Sequence, residues 1–233
     1  HELRSGAPRG SWRAPAHTAN AFAVQSFLDE AAHAAGKDPL AFRLALLEPG
    51  RVFDYAQHGG PKFDTGRLAG VLKLAAEKIG WGRSPPRGRG LGIAGHFTFG
   101  GYAAHAMEVE VGSDGTWKIH RCVCAADVGL PINLLGLEAQ MMGGTIDGIG
   151  TATHAAITVD GGKVMQSNFT DYPLIASAEA PDVEVHIVRS NAPPGGAGEM
   201  GTPSAAPALA NAIFAASGRR LRDTPFKAQA AAT

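Results

Sequence analysis

The chain has 233 residues and balances 21 Lys and Arg against 21 Asp and Glu, so its formal net charge is zero. A protein that binds nucleic acid or an anionic membrane surface through charge needs a basic excess, so we expect neither partner. No apolar run reaches the roughly 18 residues that span a bilayer, so no membrane segment is expected in this chain. The length suffices for one large domain or two small ones with a hydrophobic core.

The first third of the chain predicts helices, because its apolar residues recur at helical spacing. Asp38 and Asp64 are typical N-caps, and Gly36 and Gly80 are typical stop signals. The predicted helices cover residues 18–35, 40–47 and 67–79.

The remainder predicts two β-hairpins and two further strands, with two more helices among them. A helix is expected over residues 137–149, and another over 206–216 with Ser204 as its N-cap. The predicted strands cover residues 90–99, 104–111, 117–125, 155–159, 163–169 and 182–188. This order predicts an α+β fold in which antiparallel hairpins are layered with helices.

A Pro- and Gly-rich stretch, residues 83–90 (RSPPRGRG), is the expected internal boundary. It would separate a helical N-terminal segment, residues 1–82, from an α+β domain, residues 83–233.

Several familiar motifs are weak here. Residues 90–95 (GLGIAG) match the dinucleotide-binding pattern, but no helix follows and no acidic residue stands about twenty positions on. Cys122 and Cys124 share one face of a predicted strand and are interpreted as small hydrophobic residues. The nine histidines show no ligand-like spacing, so no metal held by protein side chains is expected.

The most informative segment is residues 195–203 (GGAGEMGTP), in which Glu199 is the only charged residue. Dense glycine lets a backbone pass very close to another group, and a helix is predicted to follow. Glu199 is therefore a candidate general base.

Two polar residues elsewhere in the chain stand out. Arg13, between Trp12 and Pro15, is either a ligand for an oxo or phosphate group or a surface arginine stacked on Trp12, and spacing alone favours the surface role. Gln140, on a predicted helix, either hydrogen-bonds a planar heterocycle or is simply exposed, and spacing does not decide between the two.

Three segments of small residues, 100–104, 143–150 and 195–201, would line a slot for a large flat ligand if they converge in space. Asp127 is expected to accept hydrogen bonds from backbone N–H groups of the turn that follows it.

Taken together, five motifs resemble the molybdenum-binding large subunit of the xanthine dehydrogenase/aldehyde oxidase family, and most closely its isoquinoline 1-oxidoreductase β-subunit type. They match in order and spacing over residues 8–225. The motifs are residues 10–15 (GSWRAP) with 20–30 (NAFAVQSFLDE), 127–133 (DVGLPIN), 138–144 (EAQMMGG) with 148–150 (GIG), 166–172 (QSNFTDY), and 195–203 with 208–214 (ALANAIF).

The resemblance implies a molybdenum-cofactor-binding fold and a role for each matching residue. Glu199 would be the catalytic base beside molybdenum, which is held by the pterin dithiolene and not by the protein. The residues implied to bind the cofactor are Arg13, Gly101, Tyr102, Ala103, Ala104, Gln140 and Gly198. The implied cofactor is molybdopterin, in its cytosine dinucleotide form in bacteria.

Family large subunits are several times longer, so this chain corresponds to their C-terminal portion. The implied partners are the N-terminal half of the large subunit or an equivalent chain, a small subunit carrying [2Fe–2S] clusters, and a small-molecule substrate. Two cysteines are too few to hold such a cluster here. One departure from the family is Leu134, which stands where Pro is common.

The resemblance thus implies part of a molybdenum hydroxylase that oxidises N-heterocycles or aldehydes with oxygen derived from water, inactive as an isolated chain. The alternative is a non-catalytic assembly or binding module that completes a cofactor site only with a partner chain. A periplasmic and a cytoplasmic location both remain open.

Overall fold

The computed structural model describes residues 10–54 and 61–226. The first nine residues of the predicted N-terminal loop lie outside this range. The helices are α1 (His17–Ala34), α2 (Pro39–Leu47), α3 (Thr65–Ile79), α4 (Leu134–Thr153) and α5 (Ala205–Ser217). The strands are β1 (Val52–Phe53), β2 (Phe63–Asp64), β3 (Arg89–Thr98), β4 (Gly101–Val111), β5 (Trp117–Asp127), β6 (Val159–Asp160), β7 (Lys163–Val164) and β8 (Val183–Ile187).

The main sheet has four strands in the order β3-β4-β5-β8. Strands β3, β4 and β5 form an antiparallel meander, whereas β8 pairs parallel with β5. The β4–β5 pair is the first predicted hairpin, and the structure adds the pairing of β3 with β4. Parallel neighbours need a long crossover, and α4 lies within it. The α+β fold predicted from the sequence is confirmed, with one parallel pair that the hairpin pattern did not indicate.

Both faces of this sheet are covered by helices. On one face α3 packs against side chains that include Ile93, Tyr102 and Val123. On the other, α4 and α5 pack against side chains that include Met107 and Cys124. Because the sheet is a middle layer, β4 is buried continuously from its start through residue 109.

The N-terminal helices belong to the same body as the sheet. Helix α3 precedes the predicted boundary at residues 82 and 83, yet it shares a hydrophobic core with strands that follow it. The division into segments 1–82 and 83–233 stays an expectation, and in the described residues the packing crosses it.

Local sequence signals place most helix ends correctly. The side chain of Asp38 accepts a hydrogen bond from Ala41 N, and that of Asp64 accepts from Gly66 N and Arg67 N. Gly80 ends α3 in the left-handed conformation, with φ of 75°. Ser204 precedes α5 as predicted but makes no capping hydrogen bond, because its hydroxyl is used elsewhere.

The second predicted hairpin is much shorter than expected, since β6 and β7 have only two residues each. Its apolar side chains are exposed; Phe169, just beyond β7, is 74% exposed. With no layer behind it, this segment has no core on which to extend its pairing.

Candidate functional site

The loop of residues 195–201, called the Glu199 loop below, lies directly against the turn between β3 and β4. Gly195 N donates to Val128 O at 2.8 Å, and Gly196 N donates to Phe99 O at 2.8 Å. A Cβ atom on Gly101 would lie 2.6 Å from Gly196 O. Only glycine permits these two backbones to approach so closely.

The other side of the Glu199 loop contacts α4. A Cβ atom on Gly144 would lie 3.1 Å from Gly201 Cα, and one on Gly148 would lie 2.5 Å from Thr202 O. The three small-residue segments therefore converge, which the sequence had left as a condition. They pack against one another by close backbone approach, with Gly143 the position where a Cβ atom would meet open space.

Two polar side chains meet at one backbone oxygen of this loop. Gly198 O accepts from Arg13 Nη2 at 2.6 Å and Nε at 3.2 Å. It also accepts from Gln140 Nε2 at 2.8 Å. Two predicted cofactor residues, on separate elements, thus fix the peptide that immediately precedes Glu199.

Arg13 has a further partner that sequence reasoning missed. Its Nη1 donates to Asp147 Oδ2 at 3.2 Å, with both side chains partly exposed. Asp147 follows Gln140 by two helical turns, so the two residues share one face of α4. That spacing is the signal that would have paired Asp147 with the site.

Glu199 itself is half-buried. Its backbone carbonyl accepts from Thr202 N at 3.0 Å. Among the described residues no hydrogen-bond or ion-pair partner of its carboxylate is found. The backbone around this carboxylate is thus tightly held, while the carboxylate remains available to a bound group.

The predicted cofactor segment at the start of β4 has a different environment. Tyr102, Ala103 and Ala104 are fully buried between the layers. Tyr102 Oη accepts from Asp64 N at 2.8 Å, and its ring lies under Arg67 at 4.5 Å. Cofactor contact by these side chains stays a prediction. Gly101 is the member of the segment that contacts the Glu199 loop directly.

Asp127 has the structural role expected of it, and one more. Its Oδ1 accepts from Gly129 N at 2.9 Å, within the turn. Both carboxylate oxygens also accept from Arg67, at 2.6 and 2.9 Å. This bidentate pair joins α3 to the end of β5, and no local pattern indicated it.

A buried polar network underlies the far end of the loop. Thr145 Oγ1 donates to Met141 O at 2.7 Å and lies 2.8 Å from His105 Nε2. His105 Nδ1 lies 2.8 Å from Ser204 Oγ. Because the Thr145 hydroxyl proton is used on Met141, His105 donates from Nε2 and accepts at Nδ1 from Ser204.

Burial lowers the pKa of His105 to about 3, so the ring is neutral over the physiological range. The network uses each ring nitrogen once and links β4, α4 and the residue before α5. It also explains why Ser204 does not cap its helix.

Metal-ligand geometry is not found in the described parts of the chain. Within residues 10–54 and 61–226, no group of three or more His, Cys, Asp or Glu is arranged to hold a metal ion. Cys122 and Cys124 are free, buried thiols on the same face of β5. Burial raises the pKa of both thiols, that of Cys124 to about 12, so they act as small core residues.

No helix in these described stretches is long and apolar enough to cross a membrane.

The fold and the glycine-packed loop define a recognised class of protein domain. Residues 64–181 match the family model described as a molybdopterin cofactor-binding domain. The chain belongs to this molybdopterin cofactor-binding family, as the five motifs predicted.

Among curated relatives, the chain is 31% identical over 210 residues to the β-subunit of isoquinoline 1-oxidoreductase from Brevundimonas diminuta, covering 88% of this chain and 25% of that protein. It is 30% identical over 241 residues to a nicotinate dehydrogenase component from Pseudomonas putida, covering 95% of this chain and 19% of the relative.

A solved aldehyde oxidoreductase from Desulfovibrio desulfuricans is similar in fold, with a TM-score of 0.66 and 14% identity, over 91% of this chain and 40% of that one. The chain thus spans about a quarter of the length of the curated relatives it matches.

Proposed function

We propose that this chain is the C-terminal cofactor-binding portion of a molybdenum hydroxylase large subunit, with Glu199 as its general base. One observation carries the proposal most directly. Arg13 and Gln140 both bind the carbonyl oxygen of Gly198, while the adjacent Glu199 carboxylate has no partner among the described residues. A base that must act on a bound group needs a fixed backbone and an unengaged carboxylate.

The relatives supply the reaction class. Their names describe an isoquinoline oxidoreductase and a nicotinate dehydrogenase, both of which act on N-heterocycles, and an aldehyde dehydrogenase is also among the matches. We therefore propose oxidation of an N-heterocycle or an aldehyde, with oxygen derived from water.

The residues around the Glu199 loop fit a pterin-held metal. One N–H of Gln140 is engaged by Gly198, which leaves its second N–H and its carbonyl oxygen for a heterocycle. Gly143 lies one turn along α4, and a Cβ atom there would meet nothing within 4 Å, so the helix backbone is open to a flat ligand. A metal held by a pterin dithiolene is consistent with the lack of a His, Cys, Asp or Glu cluster in the described residues.

When bound, the molybdenum cofactor supplies the two-electron oxidation chemistry. The residues of this chain position the base and accept the proton. Arg13 and Gln140 hold the peptide before Glu199, so its carboxylate is presented from a fixed backbone. That carboxylate accepts a proton from the attacking oxygen nucleophile and later releases this proton to solvent, which restores the base.

We further propose that the cofactor is the cytosine dinucleotide form and that [2Fe–2S] clusters reside in a partner subunit. The remaining contacts to the pterin and the substrate would come from the rest of the large subunit or an equivalent chain. The quarter-length match to the relatives supports this division.

A second candidate, an assembly module without activity of its own, is favoured by the exposed apolar surface. Ile132 is 80% exposed and Phe169 is 74% exposed, and further apolar side chains near them in the sequence are exposed too. Such a surface is typical of one that another chain or segment covers. The two proposals are compatible if the isolated chain is inactive and the complete enzyme is active.

The decisive experiment is Glu199→Gln in the complete enzyme, with Glu77→Gln on the opposite face of the sheet as a matched control. Loss of a general base should lower kcat by about 10²- to 10⁴-fold while the molybdenum content stays at the wild-type level. A near wild-type rate with unchanged molybdenum would refute the role of Glu199. Metal analysis and an absorption spectrum of the isolated chain test the second candidate, for which we expect neither molybdenum nor pterin.

A further inference from the structure

Two histidines from different elements form a hydrogen-bonded pair beside the Glu199 loop. His17, the first residue of α1, places Nδ1 at 3.0 Å from Nε2 of His96 in β3. Their rings meet edge to face, with centroids 5.2 Å apart. Two imidazole nitrogens at this distance share a single proton, one nitrogen donating and the other accepting. Burial, and secondarily the neighbouring His17, lower the pKa of His96 to about 4, which keeps the pair in this form near neutral pH.

His17 also packs against Phe99, which is hydrogen-bonded to the Glu199 loop. Its ring meets the ring of Phe99 edge to face at 5.1 Å. The carbonyl oxygen of Phe99 accepts from Gly196 N, and a Cβ atom on Gly196 would lie 2.9 Å from Phe99 Cβ. Phe99 is therefore held between the histidine pair and the Glu199 loop.

The backbone at this point is strained. Phe99 has φ of 50°, in the left-handed region that residues with a side chain rarely adopt. Ala14 and Ala16, just before His17, have φ of 55° and 62°. Such conformations persist only where surrounding contacts fix them, and they cluster at functional sites.

Two hydrogen-bonded positions of the Glu199 loop, Gly196 and Gly198, depend on the same short segment, residues 13–17. Arg13 holds Gly198 O directly. Phe99 holds Gly196 N and is itself packed by His17. Residues 13–17 thus fix the loop on both sides of Ala197, and the pair with His96 anchors that segment to the sheet.

We propose that His17 and His96 are positioning residues for Glu199, acting through Phe99 and the Gly196 peptide. This inference rests on the proposed function and deepens it. The hydrogen bond and ring contacts of the two histidines are with each other and with Phe99, so their effect is on the placement of the loop and not on proton transfer. The pair fixes the left-handed turn at Phe99, and that turn fixes the loop.

The test is amide hydrogen exchange of this chain in three variants. His96→Phe removes the shared hydrogen bond while keeping a ring, His96→Gln keeps a hydrogen-bonding group, and His33→Gln is the matched control. His33 also lies in α1 and packs edge-on against a phenylalanine, Phe214, but at the opposite end of the helix. Unfolding midpoints are measured in parallel.

We expect His96→Phe to speed exchange at Gly196 by about tenfold or more while the β4 amides stay protected, since a loop opens locally before the sheet does. His96→Gln should restore most of the protection, and His33→Gln should change nothing in the loop. If His96→Phe fails to fold, His17→Leu removes the same bond from the half-buried side. Wild-type exchange at Gly196 in a folded variant overturns the inference.

The complete enzyme supplies the second readout. His96→Phe should lower kcat with little change in KM and with unchanged molybdenum content, and His96→Gln should recover it. The results for the histidine variants and for Glu199→Gln test the two claims separately. Loss of activity in Glu199→Gln with unchanged exchange in the histidine variants defeats only the positioning inference. Altered exchange with a fully active Glu199→Gln defeats only the assignment of the base.

Discussion

Two glycine-rich segments of this molecule look alike in sequence and serve different purposes. In β3, a Cβ atom on Gly92 would lie 2.1 Å from Ala212 N, so glycine there lets α5 lie directly on the strand. In the Glu199 loop, glycine lets the backbone lie on the turn at residues 99 and 100. Only the loop also gathers polar side chains, from Arg13 and Gln140, at a single carbonyl oxygen. Glycine density therefore indicates close backbone approach, whereas the convergent donors beside a carboxylate with no partner among the described residues are what support the proposed site.

The strand segment should show the largest effect on stability. Gly92→Ala forces a methyl group into the backbone of α5, where neither element can yield, and should lower the free energy of unfolding by about 3 kcal/mol or more, at the upper end of overpacking costs. Urea denaturation measures this. The control is Gly143→Ala on α4, where a Cβ atom meets nothing within 4 Å and the expected change is a gain of about 0.5 to 1 kcal/mol. Equal effects in the two variants would contradict the packing role of Gly92.

The loop region, in contrast, should be sensitive to pH, because two neutral histidines support it: His105, which is buried, and His96, which is partly buried. The pKa values of His96 and His105 are lowered from 6.5 to about 4 and about 3, mainly by burial. The unfolded chain binds protons below about pH 6.5 that the folded chain rejects, so stability is full above that pH and falls as the pH drops towards the folded values. Between pH 7 and pH 5, each of the two histidines should lower the free energy of unfolding by about 2 kcal/mol.

Urea unfolding at several pH values checks this loss. Replacing His105 by Met should remove about half of the histidine-dependent pH effect, whereas His33→Gln, at the far end of α1, should leave it intact. Stability that is flat from pH 7 to pH 5 would mean that the two rings are not held neutral by burial.

The sequence predicted the features that depend on residues close together in the chain. The caps at Asp38 and Asp64, the stop at Gly80 and the β4–β5 hairpin all follow from neighbouring residues, and the structure confirms them. Dense glycine also indicated close backbone approach, while the convergence of the three small-residue segments was left conditional and is found in the structure.

What the sequence left unpredicted depends on distant partners. The parallel pairing of β8, the bond of Ser204 to His105 and the ion pair of Asp127 with Arg67 join residues far apart in the chain. The second hairpin was predicted too long because its alternating residues lack a layer to pack against. Local pattern carries no record of which faces the tertiary fold will cover.

The shared acceptor at Gly198 should produce a smaller, non-additive effect. Arg13→Met and Gln140→Leu each remove donors to the same oxygen, and each should lower stability by about 1 to 2 kcal/mol. Because the remaining donor partly satisfies the carbonyl in either single variant, the double variant should lose more than the sum. A double-mutant cycle with urea denaturation measures the coupling, and strict additivity would argue against a shared acceptor.

The smallest effect on stability is expected at the residue with the largest proposed effect on turnover. The Glu199 carboxylate has no partner among the described residues, so Glu199→Gln should change the free energy of unfolding by less than about 0.5 kcal/mol. Thermal and urea unfolding of the isolated chain check this, with Asp127→Asn as the contrast because that carboxylate binds Arg67. A large loss in Glu199→Gln would show that the carboxylate holds the fold together, and its activity defect would then need no catalytic explanation. An unchanged free energy of unfolding would show that the carboxylate does not stabilise the fold, which is what the proposed role at a bound group requires.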